Sequence, residues 1–283
     1  MCFSGYSPQA ITSSGDLRIL RFAPSPELQA SVVSFFYLDV PEGKCGSIRT
    51  LPEGCGDVIC FLDQQPNVWL VGPQTQARVF THSPNSRILG AQLFPGMLGL
   101  LTTQHALELV DKRISLKALG SCHHKREVEQ LLKCLYSSNS VQEQITFLEA
   151  FLSRRFAERA IEHRVQQAIH FILAEGGKLP ISKLAAKAAS SPRNLGRLFN
   201  AQLGMGPKAF SRIVRFQNVL THLRQTQVPN WSDISAEWGF ADQPHLVREC
   251  RSMSGLSPVE LWNSYGLLPA EEQPSTPTSE CIK

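Results

Sequence analysis

Ser191-Pro192-Arg193-Asn194-Leu195-Gly196-Arg197-Leu198-Phe199, followed by Leu203-Gly204-Met205-Gly206-Pro207, recurs in altered form further along the chain. The second copy reads Asp242-Gln243-Pro244-His245-Leu246-Val247-Arg248-Glu249-Cys250, followed by Ser254-Gly255-Leu256-Ser257-Pro258. A shift of 51 residues places Leu195 on Leu246, Arg197 on Arg248, Gly204 on Gly255 and Pro207 on Pro258. Each copy has a capping side chain, a short helix with one apolar and one basic stripe, a Gly to end that helix and a Pro to start the next. Two such units in tandem predict an all-α C-terminal domain of paired helix-turn-helix units.

The flanking sequence fits this reading. Val165, Ala168, Ile169 and Ile172 line one face of a helix over Ile161–Ala174, which Gly176-Gly177 ends. Ile181–Ala188 and Ser232–Trp238 are the scaffold helices of the two units, and Pro207–Arg224 is a long helix between them. Ser190 or Ser191 caps the first reading helix and Asp242 the second, with Pro192 and Pro244 in their first turns. Leu195, Leu198 and Phe199 share a buried face of the first, while Arg193 and Arg197 lie one turn apart on another, beside Asn194 and Gly196. On the second, Leu246 and Cys250 turn inward and Gln243, His245 and Arg248 can turn out. Arginine pairs bidentately with guanine and glutamine with adenine in the major groove, so Arg193, Arg197, Gln243, His245 and Arg248 are the candidate base-reading residues. Asn194, Lys208 and Arg212 are the candidate phosphate contacts. Solvated faces of ordinary helices are the plain alternative for any one of these stripes.

Charge follows the same division. The chain has 283 residues and a net charge of +4, but residues 160–265 hold twelve Lys/Arg against seven Asp/Glu, while the remainder holds sixteen against seventeen. The positive excess therefore sits with the repeat, as a nucleic-acid footprint requires. Eight cysteines occur without any Cys-x-x-Cys spacing, Met1-Cys2-Phe3-Ser4-Gly5 opens without a basic or apolar run, and no stretch has the ~20 apolar residues needed to span a membrane. These features predict a soluble protein of the reducing cytoplasm, with no membrane partner and with thiols acting mostly as core fillers.

Residues 17–100 read differently. Ser31–Val40, Asp57–Leu62, Val68–Val71 and Ile88–Phe94 are short apolar runs separated by Pro41-Glu42-Gly43, Pro52-Glu53-Gly54, Pro66-Asn67, Gly72-Pro73 and Pro84-Asn85. They predict an N-terminal α+β domain, a small barrel or curled antiparallel sheet with helices. Leu28, Val32 and Phe35 leave Pro26–Phe36 open to a helical reading, and Leu98, Leu101, His105 and Leu109 read as one helical face. Helices over Val128–Leu135 and Val141–Phe156 could cover the sheet, connect the domains or pair with a second subunit; covering the sheet is the plain reading. The expected division is 1–120, a sensor domain; 121–160, a helical connector; 161–265, the DNA-binding domain; and 266–283, a disordered Pro- and Ser-rich tail.

Residues 161–265 resemble the DNA-binding domain of the AraC/XylS family of bacterial transcription regulators. Asp233-Ile234, Gly239-Phe240, Asp242-Gln243, His245-Leu246, Arg248 and Gly255-Leu256-Ser257-Pro258 carry the resemblance best. It implies seven helices, with two reading helices entering successive major-groove segments on one face of promoter DNA. Carried over by position, it adds Gly196 and Pro244 to the base-reading set. Three positions depart from the family pattern: Gly196 replaces a polar residue, Ala189 stands where the turn often has Gly, and Cys250 replaces a large aromatic core residue. Leu51-Pro52-Glu53-Gly54-Cys55-Gly56-Asp57-Val58-Ile59, Val71-Gly72-Pro73 and Leu89-Gly90-Ala91-Gln92-Leu93-Phe94-Pro95-Gly96 resemble an uncharacterised sensor-type domain found ahead of this module.

The expected function is a sequence-specific transcription regulator, not an enzyme, that recruits or blocks RNA polymerase at a promoter and could act as a homodimer. Glu53 and Asp57 are the candidate effector ligands, because Gly54 and Gly56 let backbone approach closely around them. A capped hairpin turn is the structural alternative there. No metal or cofactor is expected: Cys45, Cys55, Cys60 and the Cys122-His123-His124 triplet lack zinc-ligand spacing. The rival class is an N-terminal enzyme that modifies a small molecule or transfers an alkyl group from DNA; the latter needs an activated thiolate. A dense set of perturbed polar groups in one pocket would favour the rival, and an apolar cavity with few polar anchors would favour sensing.

Overall fold

The computed structural model describes residues 12–63, 67–102, 105–118 and 122–266. The expected tail at 269–283 and the opening at 1–5 lie outside these residues, as do the side chains of Cys122, His123 and His124. Nine strands come first: β1 (Thr12–Gly15), β2 (Arg18–Phe22), β3 (Val32–Asp39), β4 (Gly46–Thr50), β5 (Gly56–Phe61), β6 (Asn67–Val71), β7 (Arg78–His82), β8 (Arg87–Leu93) and β9 (Arg113–Ser115). They form a six-stranded antiparallel sheet in the order β2-β3-β8-β5-β6-β9 and a three-stranded antiparallel sheet in the order β1-β4-β7. Neither sheet closes on itself, so the curled-sheet reading holds and the barrel reading does not.

Side-chain alternation gives each sheet face its role. On β5, Val58 and Cys60 turn into the main core, whereas Asp57, Ile59 and Phe61 turn to the opposite face. The main-core face packs under α1 (Cys122–Ser137) and α2 (Val141–Ala157), whose Val128, Leu131, Leu135, Leu148 and Phe151 are buried with it. These two helices therefore cover the sheet, as the plain reading had it. Leu38 and Ile88 on the opposite face meet Ile48 of β4, which pins the three-stranded sheet over the six-stranded one.

The helical half follows: α3 (His163–Ala174), α4 (Ile181–Lys187), α5 (Pro192–Leu203), α6 (Pro207–Gln225), α7 (Trp231–Glu237), α8 (Gln243–Ser254) and α9 (Pro258–Gly266). Its apolar core is continuous with that of the sheet domain. Polar contacts fasten the two halves as well. Gln217 Nε2 on α6 donates to the carbonyl of Pro52 at 2.7 Å in a buried setting, and Arg159 donates to the carbonyl of Thr102 at 2.7 Å.

Two local expectations fail. Residues 26–31 form turns and Val32 opens a strand, so the helical reading of Pro26–Phe36 is wrong. Leu28, Val32 and Phe35 are all buried, but a turn followed by a β-branched and aromatic run brings them together. The expected helix through Leu98 and Leu109 is instead two 3₁₀ turns, Met97–Leu101 and Ala106–Glu108, with His105 exposed between them. Gly96 enters the first with φ 89°, and Gly99 weakens helical continuation.

Candidate nucleic-acid interface

Both candidate reading helices are built by the same local chemistry. Ser191 precedes α5, and its hydroxyl accepts the Asn194 N–H at 3.2 Å. Asp242 precedes α8, and its carboxylate accepts the His245 N–H at 2.7 Å. Each cap satisfies an orphan donor of the first turn, and proline occupies a position there that needs no donor. Gly204 and Gly255 end the helices with φ of 77° and 75°, a left-handed conformation open to glycine without penalty.

The faces divide as their sequences required. Leu195, Leu198, Phe199 and Leu203 of α5 are buried, while Arg193 and Arg197 are exposed. Arg197 Nη2 donates to Asn194 Oδ1 at 3.2 Å, and Asn194 Nδ2 donates to Ser190 Oγ at 3.0 Å, so these side chains are held along the exposed face. A Cβ added at Gly196 would meet no atom within 4 Å, which leaves the middle of this face bare. On α8, Leu246, Cys250 and Met253 are buried, Gln243, Pro244 and Arg248 are exposed, and His245 is half-buried. His245 Nδ1 accepts the Ala241 N–H at 3.2 Å, and its ring meets Phe240 edge-on at 5.4 Å. Arg248 lies 3.9 Å from the capping carboxylate of Asp242.

The departures from the family pattern have visible consequences. Ala189 adopts φ 48° at the end of α4, where Gly239 adopts 70° at the end of α7. The chain thus makes the same left-handed turn twice, once with the residue type that tolerates it and once without. Three residues separate Gly239 from the start of the second cap's helix and two separate Ala189 from the first, so the turns differ in length by one residue. Cys250 is fully buried, and burial pushes its thiol up to about 12.

Lys208 is exposed on the first turn of α6. Arg212, one turn on, is engaged: its Nε and Nη2 reach the two carboxylate oxygens of Glu249 at 2.8 and 3.0 Å. Glu249 is a functional residue that sequence reading missed. It ties α8 to α6 and also sits 3.8 Å from His245 Nε2. Only the four-residue spacing of His245 and Glu249 hinted at it, and the α6 partner was not legible in spacing. Arg215 similarly braces the second turn, donating to the carbonyl of Gly239 at 2.8 Å and stacking over Phe240 at 5.2 Å.

The structure brings Glu53 and Asp57 together on the sheet domain. Gln92 Nε2 donates to Glu53 at 2.7 Å, and Gln92 is also the cross-strand partner of Asp57. Burial raises Glu53 to about 8, the Asp57 charge adding to the rise, while the Gln92 hydrogen bond and Arg21 oppose it. Burial likewise raises Asp57 to about 7 against the pull of Arg21. The same loop carries Pro52 and Gly54, whose backbone faces α6, so the carboxyl pair sits directly behind a contact with the DNA-binding half. Desolvation, reinforced by these acids, holds the Cys55 thiol well above its usual range, and Cys60 is pushed up to about 12. Such thiols are protonated, the opposite of the activated thiolate that alkyl transfer needs. A separate surface cleft of about 520 Å³ is lined by Asp39, Asp63, Arg87 and Tyr136, among others. Among the described residues no group of three or more His, Cys, Asp and Glu could hold a metal, and no helix is long and apolar enough to cross a membrane.

Comparison with known proteins matches the helical half and the sheet half separately. Residues 184–263 match the model of a helix-turn-helix domain, and residues 20–115 match a domain of unknown function, DUF6597. No curated protein matches the chain. Among solved structures, ToxT from Vibrio cholerae is similar at 9% identity, with 90% of this chain and 99% of that one covered and a TM-score of 0.40. Unsaturated fatty acid bound wild-type ToxT from Vibrio cholerae strain SCE256 is similar at 12% identity, with 94% and 99% covered and a TM-score of 0.38. That likeness is too distant to say what this chain binds. The chain thus carries an AraC-type helix-turn-helix domain behind a domain of unknown function.

Proposed function

We propose that α5 and α8 are paired recognition helices that enter successive major-groove segments of promoter DNA. The carrying observation is that both helices have a side-chain cap, a left-handed glycine stop and an exposed polar face of reading-type residues. Arg193 and Arg197 read one segment, and Gln243, His245 and Arg248 read the other. Asn194 and Lys208 contact phosphates; Arg212 joins them once DNA competes with Glu249 for its guanidinium. Selection from a random duplex pool by the full chain tests this. The expected product is two half-sites about one helical turn apart. A single uninterrupted half-site would count against the pairing.

Residues 1–120 act as the sensor domain, 121–160 as a helical connector that also covers its sheet, and 161–265 as the DNA-binding domain of a cytoplasmic regulator. The bound chain recruits or blocks RNA polymerase, as a monomer or homodimer. A small-molecule effector is held at Glu53 and Asp57, because these desolvated acids lie behind the loop that touches α6. An effector that shifts operator affinity must itself bind with an affinity shifted by operator to the same factor. Asp57→Asn should abolish that reciprocal shift across a metabolite panel; an unchanged response would remove Asp57 from the site.

A further inference from the structure

The C-terminus of α8 is held by the sheet domain. The last carbonyls of a helix have no partner within it and carry the negative end of its dipole. Here the carbonyl of Met253 accepts the N–H of Ala77 at 2.7 Å, and the carbonyl of Ser254 accepts from Arg49 Nη2. A Cβ built at Gly255 would lie 3.4 Å from the same guanidinium, so Arg49 sits over the helix stop itself. Both donors sit on parts of the sheet domain that are held by contacts of their own. Arg49 follows Ile48 on β4, and the alternation of a strand sends Ile48 into the core between the sheets and Arg49 to the other side. Ala77 ends a loop pinned by Thr50 Oγ1 on Gln74 at 2.6 Å and by the N–H and hydroxyl of Thr75 on Asp111 at 3.0 and 2.6 Å.

The same domain also grips the end of α5. A Cβ at Gly204 would lie 2.5 Å from the carbonyl of Ala106, and one at Gly99 would lie 3.0 Å from the carbonyl of Gln202. The sheet domain therefore touches the C-terminal ends of both helices, by close backbone packing at α5 and through two donors at α8.

We infer that Arg49 and Ala77 are positioning residues for DNA reading: they brace α8 against the sheet domain and so set its placement relative to α5. The inference rests on the reading of α5 and α8 as paired recognition helices and adds to it two residues of the sheet domain that lie outside the candidate reading faces. Loss of the brace should cost affinity and also loosen the required distance between half-sites. A residue that merely supported folding would move the first without the second.

The test uses the full chain and the duplex selected by wild type, with further duplexes carrying one or two base pairs inserted between half-sites. Arg49→Ala removes the charged donor. Ala77→Pro removes the N–H, fixing φ there and restricting Gln76 as it does so, and leaves Arg49 in place. Each variant should bind the selected duplex about tenfold more weakly, the scale of one hydrogen bond at a helix terminus. Each should also lose less than wild type on insertion, so that the affinity ratio between spacings narrows. Arg49→Lys should keep the wild-type spacing preference, and unchanged melting temperatures identify which variants remain folded. If Arg49→Ala fails to fold, Ala77→Pro decides. Folded variants that match wild type on every duplex would overturn the brace. Arg248→Ala in the same series separates the two readings: if it relaxes the second half-site while Arg49→Ala does nothing, only the brace is lost. If no bipartite duplex is selected, or Arg248→Ala touches no second half-site, the paired reading fails and the brace with it.

Discussion

Gly54→Ala probes the seam between the loop that carries Pro52 and Gly54 and the helical half most sharply. Gly54 adopts φ 72°, and a Cβ there would lie 2.5 Å from Cε2 and 2.9 Å from Cδ2 of Phe210 on α6. Phe210 is fully buried, so its ring cannot swing into solvent to make room. The left-handed backbone costs a side chain about 1–2 kcal/mol. Forcing an extra methyl into a packed core costs about 1–3 kcal/mol. Together the substitution should destabilise the chain by about 2–5 kcal/mol, lowering Tm by roughly 4–20 °C at the sensitivity of larger domains. Thermal and urea unfolding of the full chain measure this. Phe210→Leu supplies the control, because it removes the ring edge without restoring the backbone. The double variant should recover about 1–3 kcal/mol relative to additive single losses. A Gly54→Ala chain as stable as wild type, or strict additivity with Phe210→Leu, would refute the packing argument.

Three further outcomes follow from particular residues. Gly196→Ala should stabilise the chain by about 0.5–1 kcal/mol, since the added Cβ meets no atom and a mid-helix glycine is lost; a lower Tm would contradict this. Lys208→Ala should flatten the plot of log affinity against log salt by about 0.9, the share of one phosphate, and an unchanged slope would remove Lys208 from the interface. The carboxyl pair gives a pH dependence. Glu53 and Asp57 bind protons more tightly in the folded chain, so their contribution is fully present below the unfolded carboxyl range and is lost as pH rises through about 7 to 8. Tm should fall from pH 5 to pH 9, and Glu53→Gln with Asp57→Asn should flatten that fall; an equal slope in the double variant would show that other groups cause it.

What the sequence made legible depends on the range of each interaction. The caps at Ser191 and Asp242, the glycine stops and the exposed faces of α5 and α8 are set by residues within a turn or two of one another, and all were readable. Val141–Ala157 was readable for the same reason, its apolar spacing matching its buried face. Strands β2, β4 and β7 were missed because their polar and apolar residues mix, with Arg18, Arg21, Arg49 and Arg78 interrupting any apolar run. Leu98 and Leu109 were legible as buried but not as parts of separate 3₁₀ turns, since burial at both ends of a break imitates a helical period. Glu53 and Asp57 were singled out from the glycines beside them, but Gln92, which links the two, enters by strand pairing. Glu249 with Arg212, Gln217 with Pro52 and Arg49 with Ser254 join residues 37, 165 and 205 positions apart, and spacing carries no signal at such separations.

The central claim is that two helices read two separate stretches of DNA. Its most direct test is the base-by-base affinity of the full chain for single substitutions across the selected duplex, measured for wild type, Arg197→Ala and Arg248→Ala. Each arginine should account for about 1–3 kcal/mol of discrimination at its own position, and the two relaxed positions should lie about one helical turn apart. Relaxation of the same base pair by both changes, or an equal loss on every sequence, would make the arginines phosphate clamps and contradict the account.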